Sequence, residues 1–452
     1  MNPTETMPVG RGDGSASASR APAMAAPATA EATGLDFGLL LDLCLKTIYF
    51  AGRPSARLIG SRMALPFSVV EELLKFLRRQ EYAEIVASAG PGEAEYQYAL
   101  TSRGTTKTQE VLEKSQYVGP APVPFDVYVE LTNRQSVRDL DVDADGVAEA
   151  MRGLVLAPQT LTQLGTAVSS GRSIFIYGDP GNGKSTIAAA IGSLLPGKVL
   201  VPHAVEVHGQ VMRVFDPRIH RPVEDPAAVS NVAGLRPDGS VLATDPQRDD
   251  MRWLLCRRPV VITGGELTLA DLEPHYSLAG KFYIAPLQVK ANNGLFVADD
   301  FGRQIIRPDE LLNRWMLPME RGIDHLTLQT GETFEVPFDV LLVFATNLSP
   351  SRLGDEAFFR RIQHKVRIPD PDERAFRKIL REVASKVAIP YSDEAATYLI
   401  DSYYRAQPRP FRGVHPRDIF NLIRDMSRFQ RRAPEFAAEW IDLACSSYFV
   451  QD

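Results

Sequence analysis

The segment SIFIYGDPGNGKSTIAAAIGSLL constrains the fold more than any other stretch of this 452-residue chain. An apolar, strand-like run leads into a glycine-rich loop, and an alanine-rich helical run follows. A G-x-x-x-x-G-K-[ST] loop in this context lets backbone N–H groups surround a phosphate at a helix N-terminus. Its lysine reaches the β and γ phosphates, and its hydroxyl ligates Mg²⁺. The predicted nucleotide-binding residues are Gly178, Asp179, Pro180, Gly181, Asn182, Gly183, Lys184, Ser185 and Thr186.

A second short segment, LFVADD, delivers two carboxylates to the end of an apolar run. In a parallel sheet such a strand end lies at the edge where ligands bind. We expect Asp299 to hold Mg²⁺ together with Ser185, and Asp300 to act as a base or to position water. The Asp300 side chain is one carbon shorter than that of glutamate, a difference in reach of about 1.5 Å. This residue alone therefore does not determine how fast a bound nucleoside triphosphate would be hydrolysed.

Further polar residues follow the next apolar runs. The run DVLLVFATN is a buried strand ending at Asn347, which we expect beside the phosphate loop, where it can orient an attacking water. GDEAFFRRIQHKVRI carries Arg360 and Arg361, and GVHPRDIFNLIRD places Arg417 at the start of a helix. A solvated helix end or a salt bridge is the alternative for the arginine pair, and helix capping is the alternative for Arg417.

The chain divides by pattern into several parts. Residues 137–370 alternate strand-like and helical runs, which predicts a parallel sheet with crossover helices, and residues 371–452 are helical and predict an α-helical lid. Residues 1–34 are rich in Ala, Ser, Pro and Thr and predict a disordered tail. Residues 119–136 are a predicted Pro-rich linker.

Residues 35–118 predict three helices, a hairpin and a further helix, similar to a winged helix-turn-helix. Residues 36–118 hold ten Lys/Arg and ten Asp/Glu, so the segment has no net positive charge. DNA readers usually present a positive surface. We therefore favour a protein-docking role for this part and keep DNA binding as the alternative.

Composition excludes several classes of protein. The chain is 44% hydrophobic and 23% charged with a net charge of −6, which is typical of a globular protein without a global nucleic-acid signature. It has no apolar run near the length of a membrane span. Its three scattered cysteines favour a reducing compartment, so we expect a cytoplasmic location.

GDPGNGKST, LFVADD, VFATN, EAFFRRI and HPRDI occur in the order of the AAA+ ATPase motifs, which they resemble as Walker A, Walker B, sensor 1, arginine finger and sensor 2. The stretch from residue 311 to 347 resembles the pre-sensor-1 hairpin group, especially MoxR-type ATPases. This resemblance implies a P-loop NTPase α/β core, ATP and Mg²⁺ as ligands, and a homo-oligomer, often a hexameric ring. It also implies that Arg360 or Arg361 reaches the γ phosphate of a neighbouring subunit and that Arg417 reports the nucleotide from the lid.

The resemblance implies ATP hydrolysis that remodels a protein partner; the alternative is a DNA-binding, ATP-dependent regulator or initiator. Two features depart from the MoxR-type pattern. Residues 200–255 lengthen the segment between the two Walker motifs, which predicts an inserted hairpin or pore-facing element. Asp300 stands where glutamate is usual, although DnaA-type and IstB-type ATPases resemble this chain in having Asp-Asp.

Overall fold

The computed structural model describes residues 24–223, 249–350 and 356–449. Its helices are α1 (Phe37–Ala51), α2 (Ala56–Met63), α3 (Phe67–Arg79), α4 (Ser102–Lys114), α5 (Phe125–Arg134), α6 (Ala144–Ala150), α7 (Pro158–Ser169), α8 (Lys184–Leu194), α9 (Leu287–Lys290), α10 (Pro308–Arg321), α11 (Glu356–Arg361), α12 (Glu373–Lys386), α13 (Asp393–Ile400), α14 (His415–Gln430) and α15 (Ala438–Tyr448). Its strands are β1 (Ala83–Ser88), β2 (Tyr96–Leu100), β3 (Val123–Pro124), β4 (Ile174–Tyr177), β5 (Lys198–Pro202), β6 (Ala204–Val207), β7 (Gln210–Arg213), β8 (Trp253–Arg257), β9 (Val260–Thr263), β10 (His275–Ser277), β11 (Phe282–Ile284), β12 (Gly294–Ala298), β13 (Ile323–Thr327), β14 (Thr333–Pro337), β15 (Val340–Thr346) and β16 (His364–Arg367).

A five-stranded parallel sheet forms the centre of the fold. Its order is β16-β4-β15-β12-β9, and every neighbouring pair is parallel. The strand that carries the glycine-rich loop, β4, thus lies between β15 and β16. A parallel sheet with a glycine-rich loop after β4 and helices on both faces is the α/β core that the sequence predicts, and the predicted fold class is confirmed.

Side chains alternate between the two faces of the central strands because successive residues of a strand point to opposite sides. All residues of β12 and β15 are buried, since helices cover both faces. One face packs on α7 and α8 through Ile174, Ile176, Leu295, Val297, Leu341 and Val343. The other face packs on α10 through Phe175, Phe296, Leu342, Phe344 and Trp315.

The N-terminal part contains the three helices and the antiparallel hairpin that the sequence predicts, followed by α4. Side-chain caps fix where the helices begin: Asp36 accepts from the backbone N–H of Leu39, and Ser55 accepts from that of Leu58. The apolar faces of α1, α2 and α3 share one buried core.

A second five-stranded sheet was not predicted from the sequence. Its order is β10-β11-β7-β6-β3, with mixed parallel and antiparallel pairs, and β5 pairs separately with β8. The antiparallel β6–β7 pair is the expected hairpin of the 200–255 insertion, and it joins this sheet. The Gly/Pro/Asp-rich part of that insertion, 224–248, lies outside the described residues.

The prediction that residues 119–136 form a Pro-rich linker is wrong for residues 123–134. This segment contributes β3 to the second sheet and then forms α5. Tyr128 and Leu131 of this helix are buried against the second sheet. The prolines that suggested a linker precede the helix, and Pro124 stands at its N-cap, where proline is compatible with helix initiation.

The predicted disordered tail, residues 1–34, is also wrong for residues 24–34. Ala30 is 2% exposed, and its N–H donates to the carboxylate of Glu72 at 3.0 Å. The buried Arg252 side chain, paired with Asp250 at 2.8 Å, donates to the carbonyl of Thr33 at 3.0 Å. Residues 1–23 lie outside the described residues.

The C-terminal part is helical, as expected. It comprises α12 to α15 with a π-helical turn, Asp401–Arg405, after α13. Phe376, Phe420 and Trp440 anchor its own core. None of the helices in the described ranges has the length and apolarity needed to cross a bilayer.

Three of the buried cores contain one free cysteine each. Cys44 lies in the core of the N-terminal helices, Cys256 in the core of the second sheet and Cys445 in the core of the C-terminal helices. No disulfide joins them.

Candidate functional site

The glycine-rich loop turns sharply between β4 and α8. Gly178, Gly181 and Gly183 have φ values of 150°, 84° and 78°, a region that favours glycine. A Cβ atom on Gly178 would lie 2.2 Å from the carbonyl oxygen of Ile368, so only glycine lets the end of β4 pass the chain beyond β16. The loop therefore takes the shape that a phosphate cradle needs, and α8 begins at Lys184 directly behind it.

The Lys184 side chain points back into the loop. Lys184 is 7% exposed, and its Nζ donates to the carbonyl oxygen of Asp179 at 2.8 Å. Burial lowers the pKa of Lys184, and the negative charges of Asp300, Asp179 and Asp299 oppose that shift. The ammonium group thus lies within electrostatic range of both strand-end carboxylates, although 115 residues separate the loop lysine from Asp299.

Ser185 and Asp299 meet where the loop helix approaches the end of β12. The Ser185 hydroxyl donates to Oδ1 of Asp299 at 2.9 Å. A hydroxyl and a carboxylate are hard oxygen donors that suit Mg²⁺. The described residues contain no group of three or more His, Cys, Asp or Glu arranged for a metal ion. An ion held by Ser185 and Asp299 would therefore complete its shell with phosphate oxygens and water.

Asp300 occupies an unusual backbone conformation. Its φ is 47°, in the left-handed region, and its side chain is exposed at the mouth of the site. The amide of Asn347 donates to Oδ1 of Asp300 at 3.3 Å. This contact brings together two polar residues that follow different strands of the parallel sheet.

Hydrogen bonds between neighbouring strand ends hold this arrangement. The N–H of Phe301 donates to the carbonyl of Ala345 at 2.8 Å, and the hydroxyl of Thr346 donates to the carbonyl of Phe301 at 2.6 Å. Gln304, which the sequence reasoning missed, closes the turn by donating to the carbonyl of Asp299 at 3.1 Å. Its only signal in the sequence is its place in the DDFGRQ turn.

The two arginines of α11 lie at the end of that helix. Arg360 is exposed, whereas Arg361 is partly buried and forms an ion pair with Glu320 of α10. Gly354 and Asp355 of the same motif lie outside the described residues.

Arg417 lies in the first turn of α14, and its side chain is 65% exposed with Nε donating to Asp418 at 3.0 Å. Its helix starts at the phosphate loop, because the N–H of Val414 donates to the carbonyl of Gly181 at 2.8 Å. A different arginine, Arg412, makes the direct side-chain contact with the loop, pairing with Asp179 at 3.1 Å. Sequence reasoning missed Arg412, which belongs to no motif.

Residues 372–447 match a family model described as a domain of unknown function (DUF8689). No curated protein matches the chain.

Several solved structures are similar in fold. A RuvB variant of Thermotoga maritima is 12% identical with a TM-score of 0.36, covering 69% of this chain and 71% of that chain. NtrX from Brucella abortus is 14% identical with a TM-score of 0.39, covering 80% and 64%. Domain III of the Thermotoga maritima replication initiation protein DnaA is 15% identical with a TM-score of 0.37, covering 69% and 100%. These low identities and TM-scores do not establish a relationship to any of the three proteins. The fold class is assigned from the strand order of the central sheet and from the glycine-rich loop.

Proposed function

We propose that this protein binds ATP with Mg²⁺ and hydrolyses it. The contact between Ser185 and Asp299, 2.9 Å long, carries the proposal. It joins the hydroxyl of the phosphate loop to the acidic end of a different strand. That pairing of a loop hydroxyl with a strand-end carboxylate is the metal-holding arrangement of P-loop nucleotide hydrolases.

Each residue of the site has a defined task in this proposal. The backbone N–H groups of the loop and the Lys184 ammonium bind the phosphates and offset their negative charge. Ser185 and Asp299 would hold Mg²⁺, which supplies electrostatic stabilisation of the charge that develops on the transferred phosphoryl group. Asp300 accepts a proton from the attacking water, and Asn347 fixes the direction of the Asp300 carboxylate and of that water.

Replacement of Lys184 tests nucleotide binding directly. We expect Lys184→Ala to weaken ATP binding by at least about 100-fold, because the buried ammonium is the main positive charge inside the loop. Calorimetric titration with ATP and Mg²⁺ measures the affinity.

The matched control is Lys198→Ala, which removes an exposed lysine at the start of β5. This variant should keep wild-type affinity. Unchanged ATP affinity in Lys184→Ala would refute the site.

We infer a homo-oligomeric ring, hexameric by resemblance, in which Arg360 or Arg361 completes the site of the next subunit. The antiparallel β13–β14 pair between α10 and β15 supports the pre-sensor-1 hairpin assignment and hence the MoxR-type relationship.

The three free, buried thiols support a reducing, cytoplasmic location.

We further propose that the N-terminal helices and hairpin are a winged-helix adaptor that docks a protein which the ATPase remodels. Tyr49 and Phe50 at the end of α1 are 40% and 59% exposed, and exposed aromatic residues are common in protein interfaces. The groove beside α3 mixes three basic side chains with three acidic ones: Lys75, Arg78, Arg79, Glu72, Glu81 and Glu84. Such a mixture does not favour the alternative, DNA binding through residues 36–118.

A further inference from the structure

Three consecutive residues, Arg412, Gly413 and Val414, join the C-terminal helices to the phosphate loop; we call them the lid junction. The N–H of Val414 donates to the carbonyl of Gly181 at 2.8 Å. The N–H of Gly413 donates to the side-chain oxygen of Asn182 at 3.1 Å. The lid junction therefore lies directly on the loop, immediately before α14 begins.

Charged groups reinforce these backbone contacts. The Arg412 guanidinium bridges two carboxylates, Asp179 of the loop at 3.1 Å and Asp370 beyond β16. The Arg412 side chain is 19% exposed and that of Asp370 is 30% exposed, so water screens their interaction less than that of surface pairs. Asn182 also donates to Asp370 at 2.6 Å, which links loop, strand end and lid in one network.

The packing at the lid junction leaves little free space. A Cβ atom on Gly181 would lie 2.7 Å from Cγ1 of Val414 and 3.7 Å from Cβ of Arg412. Asp179 and Asn182 direct their side chains to the lid junction and to Asp370. These two loop residues are thus used to hold the lid, whereas the loop backbone and Lys184 remain for phosphate.

We propose that Arg412 is a positioning residue that fastens α14 to the phosphate loop and sets the rates at which ATP associates and dissociates. The inference rests on the proposed nucleotide site. Any movement of α14 away from the sheet must break the bridge from Arg412 to Asp179 and Asp370. Because the bridge joins lid to loop, its loss lowers the barrier to lid opening for association and dissociation alike.

Stopped-flow measurements with a fluorescent ATP analogue on the full chain test this. In Arg412→Ala we expect the association and dissociation rate constants each to rise by about tenfold, while the dissociation constant changes by less than about threefold. One guanidinium nitrogen of Arg412, Nη1, contacts both carboxylates. Arg412→Lys keeps the positive charge but places it on a shorter side chain with a different donor geometry, so both rate constants should rise by a smaller common factor.

Arg405→Ala is the matched control. Arg405 also bridges two carboxylates, Glu373 at 2.6 Å and Asp401 at 2.5 Å, but both lie within the C-terminal helices. Arg405→Ala should leave both rate constants unchanged. This result would show that the effect of Arg412→Ala comes from the contact between lid and loop and not from a general loss of lid stability.

The outcomes separate this inference from the proposed function. Wild-type rate constants in both Arg412 variants would overturn the fastening role while the nucleotide site stands. A rise in the dissociation rate constant alone, with weaker affinity, would also overturn it, because Arg412 would then contact the nucleotide. A wild-type protein that binds no analogue would defeat the proposed function and this inference together.

Discussion

The backbone conformation at Asp300 gives a physical reason for the aspartate at this position, where the MoxR-type pattern has glutamate. The residue has a φ of 47°, and aspartate and asparagine tolerate the left-handed region better than residues with longer side chains. The same turn aims the carboxylate at Asn347. The shorter side chain of aspartate thus occurs together with a turn that brings its carboxylate to the edge of the sheet.

Asp300→Asn separates the charge of this residue from its conformation. Asparagine keeps the left-handed backbone, so we expect an unchanged melting temperature and unchanged ATP affinity. Turnover should fall by about 100-fold or more, because the site loses its proton acceptor. A steady-state phosphate-release assay measures it.

The control for this variant is Asp145→Asn, an exposed position of α6, which should keep full turnover. Wild-type turnover in Asp300→Asn would remove Asp300 from the chemistry.

At the scale of elements, the parallel sheet was predictable and the second sheet was not. The central strands β12 and β15 are unbroken apolar runs because both faces are buried, and polar residues mark where each one ends. The second sheet consists of strands of two to four residues, and β3 pairs with β6 across a long stretch of chain. Segments this short carry no readable periodicity, and their pairing depends on contacts that only the folded chain provides.

A buried histidine makes the region beside the second sheet sensitive to acid. His220 is 1% exposed; its Nδ1 accepts from the N–H of Asp216 and its Nε2–H donates to the carbonyl of Lys290, both at 2.9 Å. Burial is the main cause that lowers the pKa of His220 from 6.5 to about 4. Protonation of Nδ1 would remove the acceptor that Asp216 uses.

Between pH 6.5 and 4 the unfolded chain therefore binds a proton at His220 that the folded chain does not, so this residue's contribution to stability falls as the pH falls. We expect His220→Gln to be less stable than wild type at pH 7.5. The difference in unfolding free energy should shrink by about 2 kcal/mol at pH 5. Urea unfolding at both pH values measures it.

His275→Gln, which changes an exposed histidine of β10, is the control and should differ from wild type by the same amount at both pH values. A His220→Gln deficit that does not depend on pH would contradict the buried neutral state.

At the scale of the whole molecule, the sequence motifs identified the loop, the acidic strand end and Asn347, since each follows an apolar strand. Arg412 could not be found this way. Its partners Asp179 and Asp370 come from distant parts of the chain, and only the folded protein brings the three together. The position of Arg360 and Arg361 in the sequence likewise does not tell whether they act within their own subunit or on a neighbouring one.

Mixed assemblies test whether the site is shared between subunits. We expect Arg360→Ala plus Arg361→Ala to keep ATP affinity but to lower turnover by about 1,000-fold, because no guanidinium then stabilises the transition-state charge. Lys184→Ala subunits bind ATP only weakly but still carry both arginines. Mixing the two inactive proteins should therefore restore measurable turnover in a phosphate-release assay.

Glu320→Gln serves as the control for the ion pair that Arg361 makes with its own chain, and it should keep turnover. A mixture that stays as inactive as its components would argue against arginines supplied by a neighbour.

The three cysteines are buried in three different cores, so each thiol of the wild-type protein can report the local opening of one core. Burial raises the pKa of Cys44, Cys256 and Cys445 each to about 12, so a reactive thiolate forms only when the surrounding core opens. Each thiol reports on one region: the N-terminal helices, the second sheet or the C-terminal helices. Thiol-exchange rates, assigned cysteine by cysteine with mass spectrometry, can therefore follow the opening of each region without any engineered label.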